Sequence, residues 1–203
     1  MTIELNIRVP SGSVSYNEII SQRITGSKEG FTLALSDSSG LSSPHGECDI
    51  VFGMSKGTKS QSVKTRIKKG VFNHIAAVYD RGNTNKLKIY VNGESEKQSA
   101  GSLVVESINF AGTPYHIGTG SLHRFSNEDF IPKQTLSGAL DDYRHFNSSR
   151  LLKDIRKYRT QEIFTQADLK LYFRFNEPSG SYNKAGTGNS NLCLDHSGNG
   201  LHT

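Results

Sequence analysis

Short segments in which apolar and polar residues alternate, each ended by a turn-forming stretch, constrain this chain more than any other feature. The first segment places Ile3, Leu5, Ile7 and Val9 on one side of an extended backbone, before the stretch PSGS at residues 10–13. Successive side chains of a strand point to opposite faces, so this spacing buries one face and exposes the other. The pattern predicts an all-β chain and not a helical bundle.

Further segments of the same kind follow at fairly regular spacing. They predict strands at residues 18–23, 31–36, 49–54, 62–68, 73–79, 86–92, 102–110, 115–118, 136–146 and 169–175. Asn92 and Gly93 both tolerate a positive φ and predict a type I′ turn. Together with the preceding elbow, this turn predicts an antiparallel meander. Leu87, Ile89 and Val91 form its core face, and the other face is left to water.

The remaining stretches lack this alternation. Residues 120–135 have little periodicity and predict a long loop. A short basic helix is predicted at residues 150–159, with Asn147, Ser148 and Ser149 as candidates for its N-cap. Residues 177–203 are rich in Gly, Ser and Asn, so this tail alone cannot bury enough apolar surface to offset its ordering entropy.

Composition favours the same class and excludes several others. The 203 residues include 20 Gly, and only 34% of them are hydrophobic, which suits short strands joined by many turns. Cys48 and Cys193 have no CxxC or CxxH context, so a structural zinc site is excluded. No signal peptide is predicted after Met1, and no apolar run of about 18 residues predicts a membrane span.

Positive charge is concentrated in one stretch of this chain, whose formal net charge is +5. The stretch runs from Lys56 to Lys69 and contains Lys56, Lys59, Lys64, Arg66, Lys68 and Lys69 without an acid among them. It is interpreted either as a solvated strand edge or as a contact for an anionic partner, such as an acidic glycan or an acidic protein surface. No nucleic-acid partner is predicted, because no groove-reading motif accompanies the charge.

Four motifs of the meander and the later strands occur in a characteristic order. They are FNHIAAVYD at residues 72–80, LKIYVNG at 87–93, YHIG at 115–118 and GALDDYRHFN at 138–147. In this order they resemble the laminin-G-like and pentraxin-like domains of the concanavalin A-like lectin/glucanase superfamily. The resemblance covers about residues 1–160. It implies a two-sheet antiparallel jelly-roll sandwich with one short helix near the C-terminal end of the domain, and it places Phe72 where an aromatic core anchor is usual.

The end of the chain resembles the beginning of another such domain. LKLYFRFNEPSG at residues 169–180 and LDHSGNG at 194–200 look like an opening strand, its turn and its loop. The resemblance therefore divides the chain into a sandwich at 1–160 and a strand with a Gly/Ser/Asn-rich tail at 161–203, the start of a following repeat. Because the first and last strands of such folds are neighbours, the strand at 169–175 is expected to pair beside 136–146.

The acidic residues do not form the pattern that glycanases of this superfamily use. Those enzymes carry paired carboxylates on one strand face, about 5 Å apart. Glu94 and Glu96 lack a third member of the pattern, and the adjacent acids at 128–129 and 141–142 point to opposite faces of a strand. The sequence therefore predicts no enzyme and no catalytic residue.

Calcium is the one metal that the resemblance implies, because related domains bind it at a rim of the sandwich. Asp141 and Asp80 are the candidate ligands, since calcium prefers carboxylate and carbonyl oxygens. The alternative for Asp141 is a structural role in which it accepts hydrogen bonds from the neighbouring backbone. No other cofactor is predicted.

The predicted function is non-catalytic recognition or adhesion, with a glycan or a protein surface as the ligand and a larger repeat-bearing protein as the context. Tyr16, Tyr79, Tyr115 and Phe125 are candidates for stacking on sugar rings, and core packing is the alternative for each. The second function is a structural module of a virion or surface assembly, an appendage or capsid decoration that contacts neighbouring repeats or copies. Either function is expected outside the cell or on a virion surface.

Overall fold

The computed structural model describes residues 1–11, 17–36, 46–125, 128–177 and 193–202. Within these residues the chain forms thirteen strands and one helix. In chain order they are β1 (Thr2–Arg8), β2 (Glu18–Ile24), β3 (Gly30–Ser36), β4 (Glu47–Lys56), β5 (Lys59–Lys68), β6 (Phe72–Tyr79), β7 (Leu87–Val91), β8 (Ser95–Gln98), β9 (His116–Ile117), β10 (His123–Phe125), β11 (Glu128–Phe130), β12 (Ala139–Phe146), α1 (Leu152–Tyr158) and β13 (Leu169–Phe173).

Two antiparallel sheets pack face to face. One has six strands in the order β13-β12-β1-β6-β7-β8, and the other has five in the order β5-β4-β3-β2-β9. Strand β1 pairs with both β6 and β12, which joins segments that lie far apart in the sequence. The all-β two-sheet sandwich predicted from the alternating segments is confirmed.

The core lies between the sheets and is built from the inward residues of the alternating strands. Ile3, Leu5 and Ile7 of β1 are fully buried. Phe31 and Phe52 approach them from the five-stranded sheet and belong to the same apolar cluster. Burial of such a side chain contributes about 1.5–3 kcal/mol, so this layer is the main source of stability.

The strand that follows the helix completes the six-stranded sheet, as expected from the sequence. β13 pairs antiparallel with β12. Leu171 and Phe173 of β13 enter the main core, while Leu169 and Tyr172 pack with Phe146 on the outer side of the sheet. The segment after residue 160 therefore contributes to both faces of this sheet.

The outer face of the six-stranded sheet is covered, which corrects the prediction of a face open to water. Helix α1 lies across it, and Ile155 of the helix packs on Ala76, Val78 and Tyr90. These three residues alternate with core residues of the same strands, so both faces of the central strands are buried. The alternation of apolar and polar residues alone did not reveal this second layer.

The helix is shorter than predicted, and its start differs. It spans Leu152–Tyr158 with Leu151 at the N-cap and no capping bond from a side chain. The caps predicted at 147–149 are wrong, because these residues precede the N-cap residue Leu151. The Ser148 hydroxyl donates to the Asp168 carboxylate, which lies in the loop before β13.

The Asn92-Gly93 turn is confirmed and contacts the helix. Asn92 and Gly93 adopt φ values of 54° and 69°, the positive angles that a type I′ turn requires. Arg156 Nε donates to the carbonyl of Gly93 at 2.6 Å, and Arg159 Nη1 donates to the carbonyl of Asn92 at 2.8 Å. These two arginines therefore hold the helix on the meander.

A buried ion cluster lies beneath the covered outer face. Glu4 Oε1 is 2.9 Å from Arg150 Nε, and Glu4 Oε2 is 3.8 Å from Arg144 Nη1 and 3.9 Å from His74 Nε2. Burial raises the pKa of Glu4 to about 6 and lowers the pKa of His74 to about 4. At neutral pH, Glu4 is therefore ionised between two arginines and His74 is uncharged.

The strand predicted at residues 102–110 is wrong. Its carbonyl groups accept hydrogen bonds from side chains instead of from a neighbouring strand. Tyr79 Oη donates to the carbonyl of Leu103 at 2.6 Å, and Lys59 Nζ donates to that of Val104 at 3.2 Å. The alternation here arises because Leu103 enters the core while Val104 remains 59% exposed.

Two further predictions are corrected by the packing of aromatic side chains. The loop predicted at 120–135 contains the hairpin of β10 and β11. Its strands have three residues each, too few for alternation to be visible, and Phe125 and Phe130 fasten them to the five-stranded sheet. Phe72 is not a core anchor, because its side chain lies 52% exposed at the start of β6.

Candidate functional site

The aromatic residues proposed for sugar stacking lie in different places. Tyr79 and Phe125 are 4% and 5% exposed, so neither ring offers an open face to a ligand. Phe125 stacks on Phe130, with ring centroids 5.8 Å apart. Tyr115 is half-buried and lines a cavity. Tyr16 lies outside the described residues.

The two candidate calcium ligands do not meet. Tyr79 N–H donates to the carbonyl of Met1, which places Asp80 beyond one end of β1. Asp141 pairs with Asn6, five residues further along β1, or about 17 Å away at about 3.3 Å per residue. Among the described residues, no three His, Cys, Asp or Glu side chains cluster as a metal site would need. The two carboxylates therefore do not fit one shared ion.

Each of these two carboxylates has hydrogen-bond partners of its own. Asp80 Oδ2 accepts from Asn83, Thr84 and Lys88 at 3.0–3.2 Å. Burial alone would raise the pKa of Asp80, but the bonds from Thr84 and Lys88 outweigh it and lower the pKa. Asp141 Oδ1 accepts the backbone N–H of Asp142, the structural role that the sequence had suggested as the alternative.

Much of the basic stretch from Lys56 to Lys69 is balanced by nearby acids. Lys64 Nζ lies 3.5 Å from Asp49, and Arg66 lies within 3.7 Å of both Asp49 and Glu47. These acids come from β4, the neighbour of β5, so the pairs form across the sheet. An anionic partner for this stretch stays a prediction.

A cavity of about 880 Å³ opens between the sheets at the edge formed by β9 and β13. Its described lining consists of Arg23, Tyr115, His116, Ile117, Thr119, His145, Asn147, Lys170, Leu171, Phe173, Phe175, Cys193, Leu201 and His202. Small-molecule sites typically measure about 300–1,000 Å³ and combine an apolar wall with a few polar groups, which describes this lining. We therefore take this edge cavity as the candidate site.

Arg23, near the end of β2, is held rigidly at the cavity. Its Nε donates to the carbonyl of Thr113 and its Nη2 to that of Phe110, both at 3.2 Å. Its guanidinium carbon lies 4.8 Å from the centroid of the Phe110 ring. Nη1 takes part in neither bond, so a positively charged donor group with a fixed plane remains beside the cavity.

Tyr115 joins two other polar side chains at the inner wall. Its hydroxyl lies 2.5 Å from the Tyr143 hydroxyl and 2.8 Å from His145 Nδ1. Burial lowers the pKa of His145 to about 3 and raises the pKa of both tyrosines, so all three groups are uncharged at neutral pH. This wall offers neutral hydrogen-bonding groups next to the apolar lining.

β13 and the tail supply the remaining polar groups. Lys170 Nζ donates to the carbonyl of Ala167 at 2.8 Å, which uses one of its three N–H bonds. His202 Nδ1 accepts the N–H of Asp195 at 3.0 Å, so a neutral His202 carries its proton on Nε2. Asp195 in turn accepts the N–H of Tyr172, which fastens the tail to β13.

Sequence reasoning identified Tyr115 but missed the other polar groups of the cavity. They come from β2, from β9 and β12 with the residues that follow them, from β13 and from the tail, which lie far apart in the chain and meet only in the folded edge. Arg23 and Lys170 are polar positions within alternating strands, and Arg23 lies opposite the core residue Phe31. No local sequence pattern identifies such residues as part of a site, because only the order of the strands in the two sheets brings them together.

In the part of the chain that the structure describes, no helix has the length and apolar character needed to cross a membrane. The fold is shared with a solved structure described as a "putative carbohydrate binding protein" from Bacteroides ovatus ATCC 8483. The TM-score is 0.61 and the sequence identity 19%, over 100% of this chain and 50% of that one. This chain thus spans half the length of its structural neighbour, and at this identity the likeness shows the fold alone.

Sequence comparison gives the family. No curated protein matches the chain in sequence. The family model Laminin_G_3, described as "Concanavalin A-like lectin/glucanases superfamily", matches residues 1–156, well over half of the chain. The matched residues run from β1 into α1 and include the four motifs that suggested the resemblance. The chain belongs to the Laminin_G_3 family of the concanavalin A-like lectin/glucanases superfamily.

Proposed function

We propose that this chain is a non-catalytic carbohydrate-recognition module and that the edge cavity is its binding site. The observation that carries the proposal is the lining of the cavity. Tyr115, Phe173 and Phe175 supply aromatic surface, and Arg23 and Lys170 supply charged donors. A sugar has C–H faces that pack on aromatic rings and hydroxyl groups that need hydrogen-bond partners, so this mixture suits it.

The relatives support carbohydrate as the ligand class. The family is one of lectins and glucanases, and the structural neighbour is described as binding carbohydrate. Because that neighbour is twice as long, we further propose that this chain acts as one module of a larger, repeat-bearing protein. Such a protein would meet glycans outside the cell or on a virion surface.

The chemistry of the lining favours binding over hydrolysis. Its described polar groups are guanidinium, ammonium, imidazole, hydroxyl and amide groups. The usual glycosidase mechanism instead needs two carboxylic groups, one as acid/base and one as nucleophile or base. His145 is unsuited to proton transfer near neutral pH, because burial lowers its pKa to about 3.

A glycan array with a blocked cavity tests the proposal. Thr119 is exposed and lines the cavity, so Thr119→Trp places an indole in its mouth. We expect the wild-type chain to bind a subset of glycans and the variant to lose at least about tenfold in affinity for them. Thr160→Trp is the matched control, because Thr160 is exposed and lies outside the lining.

The array also separates the calcium prediction from the cavity. Binding measured with calcium and again with a chelator should be equal if the cavity alone holds the sugar. Unchanged binding by the Thr119→Trp variant would contradict the assignment of the site. Hydrolysis products released from a bound glycan would contradict the non-catalytic role.

The second candidate is a structural module that works through protein contacts. It is favoured by large apolar side chains left at the surface around the helix, with Phe164 90% and Leu151 60% exposed. Protein interfaces bury residues of this kind. A silent array, together with a stable oligomer in native mass spectrometry that Phe164→Ser dissociates, would support this function over the first.

A further inference from the structure

We propose that the edge cavity selects acidic sugars and that Arg23 and Lys170 are the cations that attract the sugar carboxylate. This inference rests on the proposed function and narrows it to one class of ligand. Arg23 and Lys170 are the two charged groups among the described lining residues, and both are cations. The cavity therefore has a positive potential toward a ligand that carries a carboxylate.

Arg23 is arranged in advance for such a group. Two of its nitrogens are engaged by the carbonyls of Thr113 and Phe110, and its plane lies over the Phe110 ring. Binding an anion at Nη1 therefore costs little further side-chain entropy, whereas an unanchored long side chain would lose its rotamer freedom on binding. The same anchoring keeps the charge at the cavity in the absence of ligand.

Lys170 is the second cation, and its backbone is fixed by the tail. Ser197 Oγ and Asn199 Nδ2 donate to the carbonyl of Lys170 at 3.2 and 3.1 Å. Two of the three Nζ–H bonds remain for a ligand after the bond to Ala167. A carboxylate is an acceptor only, so charged donors suit it better than they suit a neutral hydroxyl.

The apolar wall shows that the ligand is more than a small inorganic anion. The Phe173 and Phe175 rings lie with centroids 6.1 Å apart and belong to the same lining as the cations. A lone anion would gain nothing from this surface, whereas a sugar acid packs its ring on the wall and directs its carboxylate to the cations.

The other basic surface of the chain competes poorly for an anion. Lys64 and Arg66 on β5 already lie within 3.7 Å of Asp49 and Glu47. An anionic ligand there would have to displace these acids or tolerate their repulsion. The cations of the cavity have carbonyl partners instead, so their charge is not cancelled.

Paired probes test this inference. Uronic acid oligosaccharides and their fully methyl-esterified forms have nearly the same shape and differ in charge. We expect the wild-type chain to prefer the acids at least about tenfold in isothermal titration. Lys170→Gln should lower the affinity for the acids by about tenfold and change the affinity for the esters by less than about twofold. Lys153→Gln, an exposed cation on the helix, is the control and should change neither.

The outcomes separate this inference from the function on which it rests. Equal binding of acids and esters would overturn the selection of acidic sugars and leave carbohydrate recognition standing. Binding of neither probe set, together with a silent glycan array, would overturn both. The preference for acids could also survive Lys170→Gln and be lost in Lys64→Gln. That result would show that the anion binds at β5 and would overturn the role of the cavity.

Discussion

His123, at the start of β10, shows how hydrogen-bond partners determine the protonation state of a side chain. Gln22 Nε2 donates to the Thr32 hydroxyl, and the Ser55 hydroxyl donates to the carbonyl of Lys28. Thr32 is therefore left to donate to His123 Nδ1 at 2.8 Å, and His123 Nε2 donates to Ser55 at 2.7 Å. This chain of bonds requires an uncharged ring. Burial accordingly lowers the pKa of His123 to about 4.

The first prediction concerns the stability that this histidine contributes at different pH values. An unfolded histidine has a pKa near 6.5, so the folded state binds the proton less well than the unfolded state does. The contribution is complete above pH 6.5 and is lost as the pH falls toward 4, by about 3 kcal/mol in total. Urea unfolding between pH 7.5 and 4 measures it.

The control for this prediction is His123→Asn, which keeps a polar side chain that does not titrate. The variant should be less stable than the wild type at pH 7.5. Between pH 7.5 and 4, its free energy of unfolding should fall by about 3 kcal/mol less than that of the wild type. The carboxylates titrate in both proteins and cancel in the difference. Parallel pH profiles would contradict the assignment of this acid sensitivity to His123.

Single residues also show where sequence reasoning reaches its limit. The positive φ of Asn92 and Gly93 could be predicted, because it depends on two adjacent residues. The Glu4–Arg150 pair could not be predicted, because its members are 146 positions apart and meet through the strand order. The same holds for His74, whose buried ring nitrogens have no hydrogen-bond partner among the described residues, which no local pattern indicates.

At the scale of one element, the Asp195 loop clamps strand β13. Asp195 Oδ1 accepts from the N–H groups of Tyr172 and Ser197 at 3.0 and 2.9 Å. Asp195 Oδ2 accepts from the Ser197 hydroxyl at 2.8 Å and from the N–H of Leu201 at 3.1 Å. Burial alone would raise the pKa of Asp195, but these bonds lower it. The carboxylate is therefore the centre of this loop.

The second prediction follows from these four bonds. Asp195→Asn replaces one acceptor oxygen by a donor, which leaves buried N–H or O–H groups without an acceptor. We expect a loss of about 2 kcal/mol in the free energy of unfolding and faster proteolysis within residues 193–202. Glu94→Gln is the control, because Glu94 is exposed in the turn before β8. Equal effects of the two substitutions would show that the loop does not depend on this carboxylate.

Alternation predicted the elements that have long strand partners, and it failed elsewhere for identifiable reasons. β1, β3 and β6 appeared as expected because one side of each faces the core. Residues 102–110 alternate without pairing, since their carbonyls accept from Tyr79 and Lys59. The hairpin of β10 and β11 depends on the contact between Gly53 and Phe125, where a β-carbon would lie 2.6 Å from the ring. Local patterns contain no information on such a contact.

At the scale of the whole molecule, the edge of the sandwich connects fold and proposed function. The six-stranded sheet ends at β13 and the five-stranded sheet at the two-residue β9, and the cavity lies between them. The motifs predicted the two sheets and the pairing of the last strand. They did not predict the cavity, because its size depends on how far the two edges stand apart. A site between the two sheets therefore exists only after the sheets have packed together, and no single segment encodes it.

The last prediction concerns the division of the chain at residue 160. Removing residues 161–203 takes Leu171 and Phe173 from the main core and Leu169 and Tyr172 from the outer cluster. Emptying one such site typically costs about 2–5 kcal/mol, and a whole domain is stable by only about 5–15 kcal/mol. The four losses together reach about 8–20 kcal/mol, which is as large as that margin. We therefore expect the chain 1–160 to show no cooperative urea transition.

A nicked protein distinguishes loss of the strand from loss of chain continuity. Thr165 lies exposed before β13, so a protease site inserted after it can be cut once the chain has folded. The nicked protein should keep its cooperative transition, because β13 remains paired with β12 and clamped by Asp195. If the chain 1–160 unfolds as cooperatively as the nicked protein, the sandwich is complete without β13. The strand and its tail would then belong to a following repeat, as the sequence motif suggested.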